Sequence, residues 1–168
     1  MANDIPLGKM GEGMKKGSKR AAAGHGAIQQ RKRNFCFGCG RDNSNGMHLK
    51  FALDETGKQF VCQFRLGSRY TGPPGHCHGG VIATILDEAM SKLNRLFDAS
   101  AATSRMTVEY LRPVPLNCPL EVWSKNLSRR GRRLTHAAEI RDQNGAVLAR
   151  SRGVFVIIGA QHVFRSSQ

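Results

Sequence analysis

A chain of 168 residues, 40% of them hydrophobic, is long enough to bury one self-sufficient core and too short to expect two. It contains no run of 18 apolar residues, and MANDIPLGKM lacks the apolar stretch of a signal peptide, so neither a membrane-spanning helix nor secretion is expected. The formal charge of +14 raises the question of a polyanionic partner, while five cysteines, an odd and sparse set, suit a reducing cytoplasmic setting better than a disulfide scaffold.

Residues 1–34 carry eight Lys or Arg against Asp4 and Glu12 and only scattered apolar side chains. Such a segment cannot bury enough surface to offset the entropy of ordering it, and it reads as a flexible basic tail. A solvated extension and a polyanion-binding arm are both open for it. CFGCG (36–40) follows, a CxxC without the second pair that a four-ligand zinc site needs, so no metal is expected. MHLKFAL (47–53) and QFVCQFRL (59–66) alternate apolar and polar residues around DETGK, which predicts a β-hairpin.

GHCHGGVIATILDEAM (75–90) is a glycine turn running into a helix. Residues 80–97 place Ile82, Ile85, Leu86, Ala89, Leu93 and Leu96 on one stripe. At roughly 100° per residue, Gly80, Ala83, Thr84, Asp87 and Ser91 fall about 140° from that stripe. This is a face of small residues around one carboxylate, where a plain surface helix more often carries Lys, Glu or Gln. Four strands are then predicted in meander order: TVEYL (107–111), LEVWSKNL (120–127), RLTHAAEIRD (133–142) and VLARSRGVFVII (147–158). Short gaps favour antiparallel pairing. Trp123 and Phe155 are expected in the core. One long helix with five to six antiparallel strands predicts an α+β fold in which a curved sheet wraps a central helix.

SRRGRRL (128–134) sets Arg129, Arg130, Arg132 and Arg133 around Gly131. Guanidinium groups crowded on one turn repel unless an anion lies nearby. No aromatic residue interleaves with them, so a nucleic-acid platform is not expected.

HGGVIATILDEA, preceded by GPPG and followed by TSRMTVEYLRPVP, resembles the hotdog-fold acyl-CoA thioesterases, in particular the phenylacetate-degradation (PaaI-like) branch and mitochondrial thioesterase-superfamily members. The likeness runs from about Cys36 to Ile158. It implies a hotdog domain over residues 35–160 with a short C-terminal tail at 161–168, and a thioesterase that hydrolyses an acyl-CoA to a free acid and CoA. CoA enters as part of the substrate, and neither metal nor redox cofactor is implied.

By the same resemblance Asp87 is the catalytic acid of the helix, activating water or attacking the thioester itself. The backbone N–H of Gly79 would hold the developing oxyanion. Gly80 belongs to the same substrate-binding turn, and His78 orients it or touches the thioester. Thr103, seven residues before Tyr110, would orient the attacking water from the neighbouring subunit. The arginine hairpin would grip CoA phosphates. Active sites at a subunit interface imply an obligate homodimer, paired again into a dimer of dimers. Two other readings stay open: a hotdog domain that binds acyl-CoA without cleaving it, and a polyanion-binding protein acting through its tail and hairpin.

Overall fold

The structure, a computed structural model, describes residues 33–160, so the expected basic tail, apart from its last two residues, and the C-terminal tail at 161–168 lie outside the described residues. Six antiparallel strands form one sheet in the order β1-β2-β4-β5-β6-β3. They are β1 (Ala52–Leu53), β2 (Gln59–Arg65), β3 (Ala99–Tyr110), β4 (Pro119–Arg130), β5 (Arg133–Arg141) and β6 (Val147–Ala160). The sheet packs around α1 (Gly79–Lys92). No helix among the described residues is long and apolar enough to cross a membrane.

The helix stripe holds as predicted over its first three turns: Ile82, Ile85, Leu86, Ala89 and Leu93 are buried, and Met90 joins them. Burying each of the large side chains contributes about 1.5–3 kcal/mol. At Leu93 the chain tightens into a 3₁₀ turn over Leu93–Phe97 and stops at Asp98, whose left-handed backbone (φ 47) ends it. Leu96 is turned off the stripe by that change and is exposed, against expectation. The opposite layer of the core comes from alternate residues of the sheet, among them Leu120, Val122, Leu134, Ile140 and Phe155. Ser124 ties the layers together, its hydroxyl donating to the Ala89 carbonyl at 2.8 Å. Trp123, one residue along β4, points the other way. It lies beneath the Arg141 guanidinium and donates to Glu121, so it is not a core residue.

Two further expectations change. The first hairpin strand shrinks to Ala52–Leu53, because His48 adopts φ 53 and residues 47–49 bond instead to the 37–38 turn, through Met47 N–H to Phe37 O and Leu49 N–H to Gly38 O. The alternation survives without a strand: Leu49 is buried and Met47 and Phe51 pack against the core. The meander covers β4, β5 and β6 only. β3 does not neighbour β4 but crosses to the far edge and pairs with β6.

Candidate active site

The turn before α1 is held from three sides. His78 N–H donates to Tyr70 O, Cys77 N–H to Val114 O, and a side chain at Gly72 would strike the His78 backbone at 2.7 Å. His78 is the N-cap, its Nδ1 accepting from Gly80 N–H at 2.9 Å. Val81 and Ile82 both donate to His78 O. Of the amides at this helix start only the Gly79 N–H lacks an acceptor among the described residues, and it sits at the positive end of the helix dipole. Gly80, expected to help bind substrate, has its N–H taken by the histidine cap, and its bare α-carbon makes room for that ring, 3.1 Å from where a Cβ would lie.

Tyr110 from the end of β3 covers Gly79, its hydroxyl donating to the Gly79 carbonyl at 3.1 Å. A cleft of about 400 Å³ opens beside them, lined by Pro73, His76, Cys77, Gly79, Ile82 and Tyr110 through Val114. A cleft of about 440 Å³ lies among Lys125, Glu139, Arg141, Arg150 and Arg152, strand side chains that alternate with the buried ones.

Asp87 lies two turns further along α1, half-buried. Thr103 Oγ1 donates to its Oδ1 at 2.7 Å. Burial pushes the Asp87 carboxyl above its ordinary value, the Thr103 hydroxyl pulls it back, and the neighbouring Glu88 charge raises it. Thr103 reaches the helix because it pairs with the inward-facing Phe155. Ser104 is an extra residue, a bulge between the Thr103–Phe155 and Arg105–Val154 pairs, so Thr103 and Met106 both turn inward. The hydroxyl therefore bonds the carboxylate of its own chain, where the neighbouring subunit's was expected. The fold gives the reason: β3 runs back along α1 from its C-terminal to its N-terminal end.

Glu88, the other acid of the pair, is engaged elsewhere. It forms an ion pair with Lys92 and accepts from the Cys36 thiol, which leaves Asp87 as the acid open to reaction.

A match to the thioesterase superfamily runs over residues 74–149 and so takes in the histidine cap, Gly79, Asp87, Thr103 and the arginine hairpin. The likeness to that superfamily covers 76 of the 168 residues. Acyl-coenzyme A thioesterase THEM4 of Xenopus laevis is 29% identical over 108 residues, 63% of this chain and 49% of that protein. The chain thus spans about half the length of the curated relatives it matches. Among solved structures, the thioesterase superfamily protein RHA08564 is 33% identical with a TM-score of 0.65, over 68% of this chain and 56% of that one. The PaaI protein of E. coli, 21% identical with a TM-score of 0.62 over 68% and 82% of the two chains, shares the fold.

Within the matched residues the four arginines are not one cluster. A register shift between Asn126 and Ser128 reverses which face each residue takes, so that Arg129 pairs with the buried Leu134 and its guanidinium lies 5.7 Å from the Phe97 ring centre. Arg132 clamps the Ile157 carbonyl through Nε and Nη2. Arg130 and Arg133 stand directly opposite each other and exposed, like charges at a spacing that disfavours them without an anion. Arg133 pairs with Val156, and Val156 with Ala102. At about 4.8 Å per strand the hairpin lies roughly 10 Å from the backbone next to Thr103.

Sequence reasoning used Tyr110 only as a marker of spacing and missed its bond to Gly79. It also missed the Cys36, Cys39, Glu88 and Lys92 group, although the acid and base four apart on one helix were a readable signal.

Proposed function

We propose that this domain hydrolyses an acyl-CoA thioester to a free carboxylic acid and CoA, in a site assembled from two copies of the chain. The observation that carries the reading is the Asp87–Thr103 bond on a half-buried helix face, with an acceptor-free Gly79 amide at the start of the same helix. The name of the curated relative, an acyl-coenzyme A thioesterase, supports the substrate class. Thr103 holds Oδ1 of Asp87, leaving Oδ2 to take a proton from water. The resulting hydroxide attacks the thioester carbonyl carbon, and the oxyanion forms against the Gly79 N–H. As the C–S bond breaks, the proton on Asp87 passes to the departing thiolate, giving CoA and the acid. The Arg130 and Arg133 pair is the element best placed to take CoA phosphates.

Length supports the reading with two copies. Gly79 and Asp87 are eight residues apart, about 12 Å along one helix axis at 1.5 Å per residue. One carbonyl cannot touch both. A second copy with its helix running the opposite way brings the Gly79 of one chain to the Asp87 and Thr103 of the other. β3 supports this assembly, since it is the edge strand of the described sheet and Ala102–Arg105 are exposed along it.

The test uses three inactive variants. Asp87→Asn removes the base and lowers kcat by at least about 100-fold. Thr103→Ala removes the hydroxyl. Gly79→Pro deletes only the amide hydrogen: the position is the first of the helix, where proline is tolerated, His78 is already extended (φ −64, ψ 136), and an added Cβ meets Tyr110 no closer than 3.6 Å. After subunit exchange, Asp87→Asn mixed with Gly79→Pro regains activity, because one of the two hybrid sites is intact. Asp87→Asn mixed with Thr103→Ala does not, because both lesions fall on the same half-site. The opposite pattern, or turnover by a sedimenting monomer, refutes the shared site.

A further inference from the structure

The CFGC turn packs against α1 on residues that the thioester chemistry leaves unused. Asn34 Oδ1 accepts from Cys36 N–H, and Gly40 N–H returns to Cys36 O, which folds residues 36–40 into a tight turn. Gly38 lies so near the helix that a Cβ there would come within 2.8 Å of the Glu88 carboxylate. The Cys36 thiol donates to Glu88 Oε2 at 3.4 Å, and Lys92 Nζ donates to Cys39 Sγ at 2.8 Å. The two sulfurs and a Glu88 oxygen all lie within 4.8 Å of one another. Cys36 is exposed, Cys39 half-buried and Lys92 almost fully buried.

Metal binding is the weaker reading of this group. It offers three donor side chains among the described residues, short of a closed tetrahedral set, and the Lys92 ammonium already stands between carboxylate and sulfur where a cation would go. Burial and the Glu88 charge push the Cys39 thiol up to about 11, so it rests as a neutral thiol rather than a ready ligand. An accessible thiol within reach of a carboxylate that can take its proton, with a half-buried thiol three residues on, can act as an attacking and a resolving cysteine.

We propose that Cys36 and Cys39 are a reversible thiol-oxidation site that a hydroperoxide converts to a disulfide. Cys36 passes its proton to Glu88, and the thiolate attacks one peroxide oxygen. The O–O bond breaks, water leaves with that proton, and Cys36 becomes a sulfenic acid. The Cys39 sulfur then attacks the Cys36 sulfur. The S–S bond forms, the S–O bond breaks, and hydroxide leaves as water with the Cys39 proton, while the Lys92 ammonium steadies the negative charge on Cys39 as that proton departs. In sum two thiols and one hydrogen peroxide give one disulfide and two waters, the sulfurs losing the two electrons that the peroxide gains. The product withdraws both sulfurs from Glu88 and Lys92, and the turn loses its side-chain hold on the helix that carries Asp87. The site is independent of the thioesterase reading.

Arg33 and Arg41 flank both cysteines, so trypsin releases them in one peptide, residues 34–41. Reduced full-length protein is exposed to hydrogen peroxide, its free thiols are blocked with iodoacetamide, and the digest is weighed. The expected peptide 34–41 carries no alkyl group and lacks two hydrogens, and dithiothreitol before alkylation restores two alkylated cysteines. Cys62 and Cys77, both buried, stay thiols throughout. Any of four results overturns the proposal: both cysteines alkylated after peroxide, Cys36 driven to sulfinic acid without the link, a Lys92–Cys39 cross-link in its place, or stoichiometric zinc in the purified protein that shields both thiols.

Discussion

His136 should make the stability of this domain fall on mild acidification. Its side chain is fully buried on β5, with Nε2 3.2 Å from Asn94 Oδ1 in the 3₁₀ turn after α1. With its amide oriented to satisfy both ends, Asn126 donates to Nδ1 at 3.2 Å, so the neutral ring with its hydrogen on Nε2 is fully bonded. Phe155 covers one side, ring centres 5.1 Å apart. Burial disfavours a second proton on the ring and lowers the pKa to about 4 from 6.5. The unfolded chain therefore binds this proton first. The stabilisation is complete above about pH 6.5 and is lost as pH falls toward 4. At about 1.4 kcal/mol per pH unit the whole gap is worth about 3 kcal/mol, of which about 2 kcal/mol is lost between pH 8 and pH 5. Urea unfolding of the parent and of His136→Gln across that range isolates the ring, since every other titrating group is common to both. The variant is less stable at pH 8, and the difference narrows by about 2 kcal/mol at pH 5. A difference that stays constant with pH shows that the ring is not held neutral by burial.

Three other outcomes follow from the site. Thr103→Val removes the hydroxyl that lowers the Asp87 pKa, so the acidic limb of the kcat/KM profile moves to higher pH; an unmoved limb with a reduced plateau assigns Thr103 to substrate rather than to Asp87. Asp87→Asn raises the melting temperature at pH 7 while abolishing turnover. A carboxyl whose folded pKa is raised contributes stability below its unfolded value and loses it as pH climbs through the folded one, so the ionised group is a burden at neutrality. Arg130→Ala with Arg133→Ala raises KM for an acyl-CoA and leaves an acyl-pantetheine nearly unaffected, whereas Arg132→Ala costs stability through its lost bonds to Ile157; equal KM losses on both substrates disprove the phosphate contact.

The helix was the most legible element, because a stripe that one sheet must cover is a local pattern with a period of 3.6 residues. Its small face around Asp87 was legible for the same reason, and Thr103 and Gly79 came from the family likeness. What the pattern could not carry was the path of β3. TVEYL (107–111) reads as extended but states neither that the strand begins at Ala99 nor which neighbour takes its hydrogen bonds, and its move to the β6 edge puts the Thr103 hydroxyl on Asp87 of its own chain. The hairpin arginines do not share one face, because the shift near Asn126 reverses facing within two residues, which no count of positive charges shows. Trp123 was misplaced by hydrophobicity alone, since its neighbours Val122 and Ser124 take the inward positions. Glu88 and Lys92, four apart on one helix, were readable as a pair but went unread, and the thiols that complete the group come from more than fifty residues upstream.

The bulge at Ser104 gives this strand one residue to spare. Thr103 pairs with Phe155 and Arg105 with Val154, so deleting Ser104 would close the ladder without turning either flank over: the hydroxyl would still face the helix and Met106 the core. Drift at this strand therefore has two tolerated routes, replacement of Thr103 by serine, which keeps a donor within reach of the carboxylate, and loss of the spare residue. In a descendant of this domain, the residue that stands opposite Phe155 is a better guide to whether the centre still works than the length of the segment between Asp98 and Tyr110.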